Sequence, residues 1–437
     1  MRGVVFAGLC PHPPIMIPEI GGAEVKKVSK TVEAMEYLAQ SVFRLAPGVI
    51  LMVSPHARIG MDEMTLLDTS SVSGDLGRFG RPDVTIERPV CRDTLDLVEE
   101  AARAAGIGVA RAPRGEGALD HGFLVPLYFL DKAGVTAPLV CFSMSLLPQE
   151  NQVRFGRLLG EALDRLDTGS AFLASGDLSH RLTKNAPAGY SPRGREFDTY
   201  IVSALERTDL DALLNIDPGL VEAAGECGLR PLSMLAGLCA ATGLNLDRLS
   251  YEGPFGVGYA VASFQKGDPL VALARRSLET YIRDGRRVAL PKTGIPDARA
   301  GVFVSLKVGG ELRGCIGTFA PTRPSIAEEI REMAIAAGTQ DPRFPPVTAS
   351  ELSTLSYSVD VLSPPEAIND ETALDPKVYG VIVEKGPKRG LLLPDLEGVD
   401  TVSEQLSIAK RKAGINPSDR DVRLYRFRVE RHREGAR

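Results

Sequence analysis

The chain contains no tryptophan and only five histidines among its 437 residues. The missing tryptophan limits stacking-based recognition but excludes no class of function. Six cysteines, at positions 10, 91, 141, 227, 239 and 315, form no CxxC pair. In a chain of this size that argues against a disulfide framework and a structural zinc knuckle. They read as free thiols, most of them core filler. No apolar run reaches the ~18 residues of a membrane span, and Met1-Arg2 leads into a strand-like segment without a secretory pattern. A cytoplasmic location is the default expectation. Charge of one sign is also lacking: 51 Lys and Arg against 56 Asp and Glu leave a net charge of −5. That gives no whole-chain electrostatic case for nucleic acid or a membrane surface. The basic stretches at 410–412 and 423–437 read as a solvated face and a frayed tail, with His432 at the surface.

The remaining composition, 44% hydrophobic and 24% charged, is that of a soluble globular protein, and the length implies two domains or three. As far as residue 264, β-branched runs alternate with amphipathic stretches at 23–45, 93–105, 151–166, 196–214 and 231–242. This predicts an α/β fold, a mostly parallel sheet covered by helices. The Gly- and Pro-rich stretch 185–195 reads as a loop over a site. Gln265-Lys266-Gly267-Asp268-Pro269 breaks the pattern after a last strand at 257–264 and precedes a helix at 270–284. The expected domains are therefore 1–266 and 267–437. The second shows a hairpin, 302–307 and 312 onward, turning at Gly309-Gly310. Strands at 355–362, 378–384 and 390–393 and helices at 325–337 and 403–413 make it α+β.

Four histidines lie in sharply punctuated motifs: Cys10-Pro11-His12-Pro13-Pro14, Ser54-Pro55-His56, Asp120-His121-Gly122 and Ser175-Gly176-Asp177-Leu178-Ser179-His180. Three of the four follow apolar, strand-like runs. In open α/β sheets, ligands gather outside the carboxyl ends of the strands. Any one of these histidines is as readily a core or capped residue as a ligand; four in this arrangement make an all-structural explanation the weaker one. Two imidazoles and a carboxylate on one face are the iron ligands of non-haem Fe(II) oxygenases. His12 and His56, stiffened by flanking prolines, suit two of those positions. His180, three residues after Asp177, suits a general acid or base with a partner that sets its tautomer. His121 suits a supporting or substrate-contacting role.

In order and content these motifs resemble the class III extradiol dioxygenases, the family of protocatechuate 4,5-dioxygenase catalytic subunits, and the related Memo proteins. The resemblance covers roughly residues 1–264. It implies that His12 and His56 bind metal, that His180 is the catalytic acid/base with Asp177 nearby, and that His121 lines the substrate pocket. The family's third ligand is a late carboxylate, for which Glu226 or Glu222 stands in the right region. Cys227-Gly228 followed by Arg230-Pro231 instead resembles the Memo pattern, in which a cysteine joins two histidines. Glu226 ranks slightly ahead of Cys227. The first set implies Fe(II) and ring opening of a catechol-like small molecule. A thiolate would favour Zn or Cu(I).

Residues 268–437 resemble the AMMECR family through Leu312-Arg313-Gly314-Cys315-Ile316-Gly317, Thr339-Gln340-Asp341-Pro342-Arg343-Phe344-Pro345-Pro346 and 386–394. Arg313 and Cys315 should share one strand face, where a cation would raise the thiolate fraction. Asp341 and Arg343 could complete a polar cleft. A tight structural turn is the simpler account of this glycine-rich hairpin. Fusion of the two modules resembles a prokaryotic system that includes a radical S-adenosylmethionine enzyme, which implies a metal-binding or redox partner role as the alternative to ring cleavage. A metal-dependent hydrolase or transferase is a third reading, and a homo-oligomer is left open.

Overall fold

The computed structural model describes residues 2–112, 118–396 and 398–434 and divides into two compact units, Met1–Lys266 and Gly267–Arg437. The first unit holds strands β1 (Gly3–Cys10), β2 (Val49–Ser54), β3 (Glu63–Leu66), β4 (Ser71–Leu76), β5 (Arg81–Pro89), β6 (Gly108–Arg111), β7 (Leu139–Ser143), β8 (Gly169–Ser175), β9 (Asn245–Glu252) and β10 (Tyr259–Gln265). Eight of them form one sheet in the order β6-β3-β7-β2-β8-β1-β10-β9, while β4 and β5 pair apart from it. The central β7, β2, β8 and β1 run parallel, and β10 and β9 close one edge antiparallel.

The four central strands are buried at every position, because helices cover both faces of such a sheet and leave no polar side to alternate. The period of two instead sorts residues between two cores. Leu51, Val53, Phe172 and Ala174 face the helices Gln149–Leu163 and Leu229–Thr242. Ile50, Met52, Ala171 and Leu173 face Ser29–Leu45 and His121–Lys132. The last of these helices gives no periodic signal in the sequence, because Gly122 to Leu130 is buried all round and contains Pro126. The helix expected over 196–214 is two, Pro192–Arg207 and Leu210–Leu214, since Thr208 turns left-handed (φ 53°) and Asp209 caps the second.

The second unit holds β11 (Gly301–Val308), β12 (Glu311–Gly317), β13 (Leu355–Leu362), β14 (Glu366–Ile368), β15 (Gly380–Lys385), β16 (Lys388–Leu392), β17 (Arg423–Phe427) and β18 (Val429–Arg433). They form two antiparallel sheets, β12-β11-β13-β18 and β14-β17-β15-β16. The hairpin β11–β12 turns on Gly309 and Gly310, with φ of 58° and 91°. The basic C-terminal stretch is not a frayed tail as far as it is described. β18 pairs along β13, and the His432 side chain, 15% exposed, binds the Asp268 carboxylate through Nδ1. Alternating charges on an edge strand look like a solvated tail in sequence, yet their backbone completes the sheet.

Candidate metal centre

Strands β1, β8 and β2 lie side by side and parallel, so their carboxyl ends open on one place. His12 and His56 follow β1 and β2 by two residues, and Asp177 and His180 follow β8 by two and five. His121 arrives from the other side as the first residue of its helix. The capping Asp120 carboxylate accepts the Gly122 N–H at 2.7 Å and the Ser54 hydroxyl at 2.8 Å, which ties that helix end to the end of β2.

The rings meet closely. His12 Nε2 and His56 Nε2 are 2.9 Å apart, and His121 stacks on His56 with centroids 4.4 Å apart. His12 is 2% exposed, whereas His56 opens to solvent. Cys227 reaches the cluster from the turn before the helix Leu229–Thr242. A Cβ on Gly176 would sit 2.3 Å from Gly228 Cα, so only paired glycines let this turn lie on the end of β8. Cys227 Sγ is thereby 3.8 Å from His12 Nε2 and 3.6 Å from His180 Nε2. The donor atoms of His12, His56 and Cys227 all lie within 4.8 Å of one another, as do those of Asp177, His180 and Cys227.

A supporting layer fixes these side chains. Ser175 Oγ meets His12 Nδ1 at 2.8 Å, which leaves Nε2 for the centre. Asp177 Oδ1 accepts the His12 N–H at 3.1 Å, and its Oδ2 lies 3.7 Å from His12 Nε2. Desolvation lowers the pKa of all four imidazoles, and neighbouring imidazoles add to this for His12, His121 and His180. Neutral imidazole is the form that binds metal. Burial pushes Asp177 up to about 7 and raises the Cys227 thiol. A cation held there would reverse that second effect and favour the thiolate.

The donor chemistry fits a metal. Tetrahedral ligands at about 2.05 Å (N) and 2.3 Å (S) stand roughly 3.4 Å apart as an N/N pair and 3.6 Å as an N/S pair. The 2.9 and 3.8 Å found between the atoms here need only small side-chain shifts.

Glu226, ranked first as third ligand, is turned away. Its carboxylate accepts the Leu229 N–H at 2.6 Å and caps the helix Leu229–Thr242. Neither it nor Glu222, which ends a different helix, joins the donor groups among the described residues. Asp177 bonds to His12 rather than serving as a hydrogen-bonded orienter of His180. The backbone of His180 is held by Ala224 O, and its carbonyl accepts from Ala188 in the expected covering loop. Sequence reasoning passed over Ser54 and Ser175, whose signal was their place as last residues of strands leading into histidine turns. It also passed over Phe79, whose ring lies 5.6 Å from His121 and which had no signal.

In the second unit Cys315, Asp341 and Arg343 come together. Asp341 accepts the Cys315 N–H at 2.9 Å, and Arg343 binds Asp341 at 2.7 Å and the Cys315 carbonyl at 3.2 Å. That guanidinium holds the Asp341 carboxyl well below the usual carboxylate range. Arg313, expected beside the thiol, instead pairs with Glu351 at 2.8 Å and with Pro345 O at 3.0 Å. These bonds fasten the loop after Gln340 onto β12.

Comparison with known proteins agrees with both halves. The catalytic LigB subunit of aromatic ring-opening dioxygenase matches residues 7–262, and AMMECR1 matches residues 271–432. Protein CA_C1420 of Clostridium acetobutylicum is 39% identical over 462 aligned positions, covering 98% of each chain. A Thermotoga maritima protein is 58% identical over 170 residues, 38% of this chain and 97% of its own. Among solved structures, PH0010 of Pyrococcus horikoshii (38% identity, TM-score 0.36) covers 38% of this chain and 89% of its own. JW3007 of Escherichia coli (17% identity, TM-score 0.40) covers 59% and 99%. The chain belongs to the family of the LigB catalytic subunit of aromatic ring-opening dioxygenases, with an AMMECR1 domain following it.

Proposed function

We propose that the N-terminal unit binds one metal ion through His12, His56 and Cys227 and serves redox or metal-handling chemistry rather than catechol ring opening. One observation carries this: Cys227 Sγ stands 3.8 Å from His12 Nε2, while the Glu226 carboxylate is spent on a helix cap. Two imidazoles and a thiolate are softer than the facial triad of Fe(II) oxygenases and favour Cu(I) or Zn. Bound there, such a metal would supply a Lewis-acid or one-electron centre. Ser175 fixes the His12 ring, Asp177 holds the His12 backbone, and His180 can take or give a proton beside Sγ. Fusion to the AMMECR1 domain supports a place in a multi-component system, with a radical S-adenosylmethionine enzyme as the expected partner.

A second reading has its own observation. Asp177 Oδ2 lies 3.7 Å from His12 Nε2, so a carboxylate is at hand for an iron site with ring-opening activity on a catechol-like molecule. Metal analysis of the full chain purified without oxygen separates the two. Copper or zinc lost in Cys227→Ser and kept in Glu226→Gln and Asp177→Asn supports the thiolate site. Iron lost in Asp177→Asn or Glu226→Gln, and kept in Cys227→Ser, returns the dioxygenase reading. A wild-type chain that takes up no metal rejects both.

A further inference from the structure

The sheet β12-β11-β13-β18 ends in two outer strands, and their free edges are treated differently. On β12 side chains occupy the outward groups of Cys315: Asp341 accepts its N–H at 2.9 Å and Arg343 donates to its carbonyl at 3.2 Å. A bare strand edge templates the pairing of a further strand, and such a cover blocks it. β18 has no cover of this kind. Ser363 N–H donates to Arg428 O, and Glu434 N–H donates to Tyr357 O. In the antiparallel register the even-numbered residues of β18 therefore bond β13. Val429, Arg431 and Arg433 turn their N–H and C=O groups the other way, and among the described residues nothing bonds those groups.

The side chains of the same three residues share one face of β18 and line a cleft of about 390 Å³. Lys377, from the segment before β15, and Pro394 and Asp395, from the segment after β16, help to complete it. Arg431 is its fixed part, paired with Asp360 at 2.9 Å and reaching Pro394 O at 3.4 Å. Lys377 is held by Asp400 in a pair whose side chains are 49% and 72% exposed, and such surface pairs exchange partners at little cost. The exposed Arg433 guanidinium has no hydrogen bond or ion pair among the described residues. One lining carboxylate, Asp395, stands against these cations, 3.9 Å from Arg431. The cleft thus has cationic charge to spare, while Glu430 is exposed on the opposite face of the strand beside His432.

We propose that β18 docks an extended acidic peptide segment of another protein, which joins the four-stranded sheet at this edge. In such strand addition the main chain supplies affinity and pockets for alternate side chains supply specificity. The peptide, running antiparallel, bonds the outward groups of Val429, Arg431 and Arg433. Every second side chain, an Asp or Glu, enters the cleft towards Arg433 and Lys377. The side chains between them lie on the face of Glu430 and are uncharged. A second copy of β18 is a poor occupant, because it would bring arginines of like charge into the same cleft. The inference is independent of the metal centre in the first unit.

The probe is a fluorescein-labelled heptapeptide of alternating threonine and glutamate, titrated into the full chain and followed by fluorescence anisotropy. Saturable binding is expected, weakening as salt rises. Glutamine in place of the glutamates, or Arg433→Gln in the chain, should weaken it at least about threefold. Methylating the glutamate backbone nitrogens, which face β18 in antiparallel addition, should abolish it. Val429→Pro should weaken it too, since proline is tolerated as the first residue of an edge strand and removes one outward N–H there. The peptide series needs only the wild-type chain, so a variant that fails to fold leaves the test standing. No saturable binding, equal binding of the glutamine or methylated peptide, or unchanged affinity in both variants overturns the proposal. A chain that self-associates in sedimentation and becomes monomeric in Val429→Pro assigns the edge to a second copy and also overturns it.

Discussion

His12 works through both ring nitrogens: Ser175 Oγ holds Nδ1 and His56 Nε2 faces the other. Removing the hydroxyl should leave the fold intact and loosen the ring. Ser175→Ala is therefore expected to lower metal affinity about 10- to 100-fold, read by competition with a chelator, while His12→Ala abolishes binding. An unchanged affinity in Ser175→Ala would show that the ring is held by packing alone. A second residue-scale test lies one layer out. Asp198 is fully buried and accepts the Ser179 N–H at 2.8 Å and the Tyr251 hydroxyl at 2.6 Å. Burial raises its carboxyl to about 7. The unfolded chain gives up this proton from about pH 4, the folded chain only near 7. Stability therefore falls as pH rises between these values, by at most about 1.4 kcal/mol per pH unit, and levels above them. Asp198→Asn should gain on the wild type across that window, and a melting-temperature difference independent of pH would refute this. The four site histidines were legible because each sits in a motif that ends or starts an element. The choice between Glu226 and Cys227 was not. Adjacent residues in a turn point different ways, and only the Leu229 N–H, a three-dimensional fact, claims one of them.

At the scale of elements, the position of Cys227 depends on how closely the helix Leu229–Thr242 approaches its neighbour. A Cβ on Gly156 would fall 1.9 Å from Met234 O, and one on Gly237 would fall 2.1 Å from Val153 O. The two helix backbones touch with no side chain between them, and the turn carrying Cys227 hangs on the end of the second. Gly156→Ala should therefore cost about 1–3 kcal/mol through overpacking, and by shifting the helix it should also weaken metal retention. The measurement is paired, melting temperature and metal content; lost stability with full metal retention would show that the turn is set by Gly176 and Gly228 alone. Amphipathic helices such as Ser29–Leu45 were legible because one face meets water. His121–Lys132 was not, since a helix buried all round has no periodicity to read. The hairpin β4–β5 was missed for the opposite reason: outside the main sheet, it contributes only Val72, Leu76 and Ile86 to the buried core.

At the scale of the whole molecule, the α/β and α+β classes were legible from the spacing of apolar runs, but the closure of the second unit was not. Its last strand, β18, is read in sequence as charged tail, and the residue after it completes a buried pair. Arg275, 3% exposed and stacked on Tyr357, bonds Glu434, Glu279 at 3.0 Å and Leu355 O at 3.1 Å. A buried guanidinium has no neutral form to retreat to, so removing the Glu434 charge leaves part of its desolvation cost uncompensated. Glu434→Gln is expected to destabilise the chain by about 2 kcal/mol, seen as a lower melting temperature. Metal content should stay unchanged, because every proposed ligand precedes residue 228. The smaller change Glu434→Asp, which keeps the charge on a shorter arm, should recover part of the loss. If Asp melts no higher than Gln, the charge of Glu434 does not set the contact, and β18 is held by its pairing with β13 and by the His432–Asp268 and Arg431–Asp360 contacts.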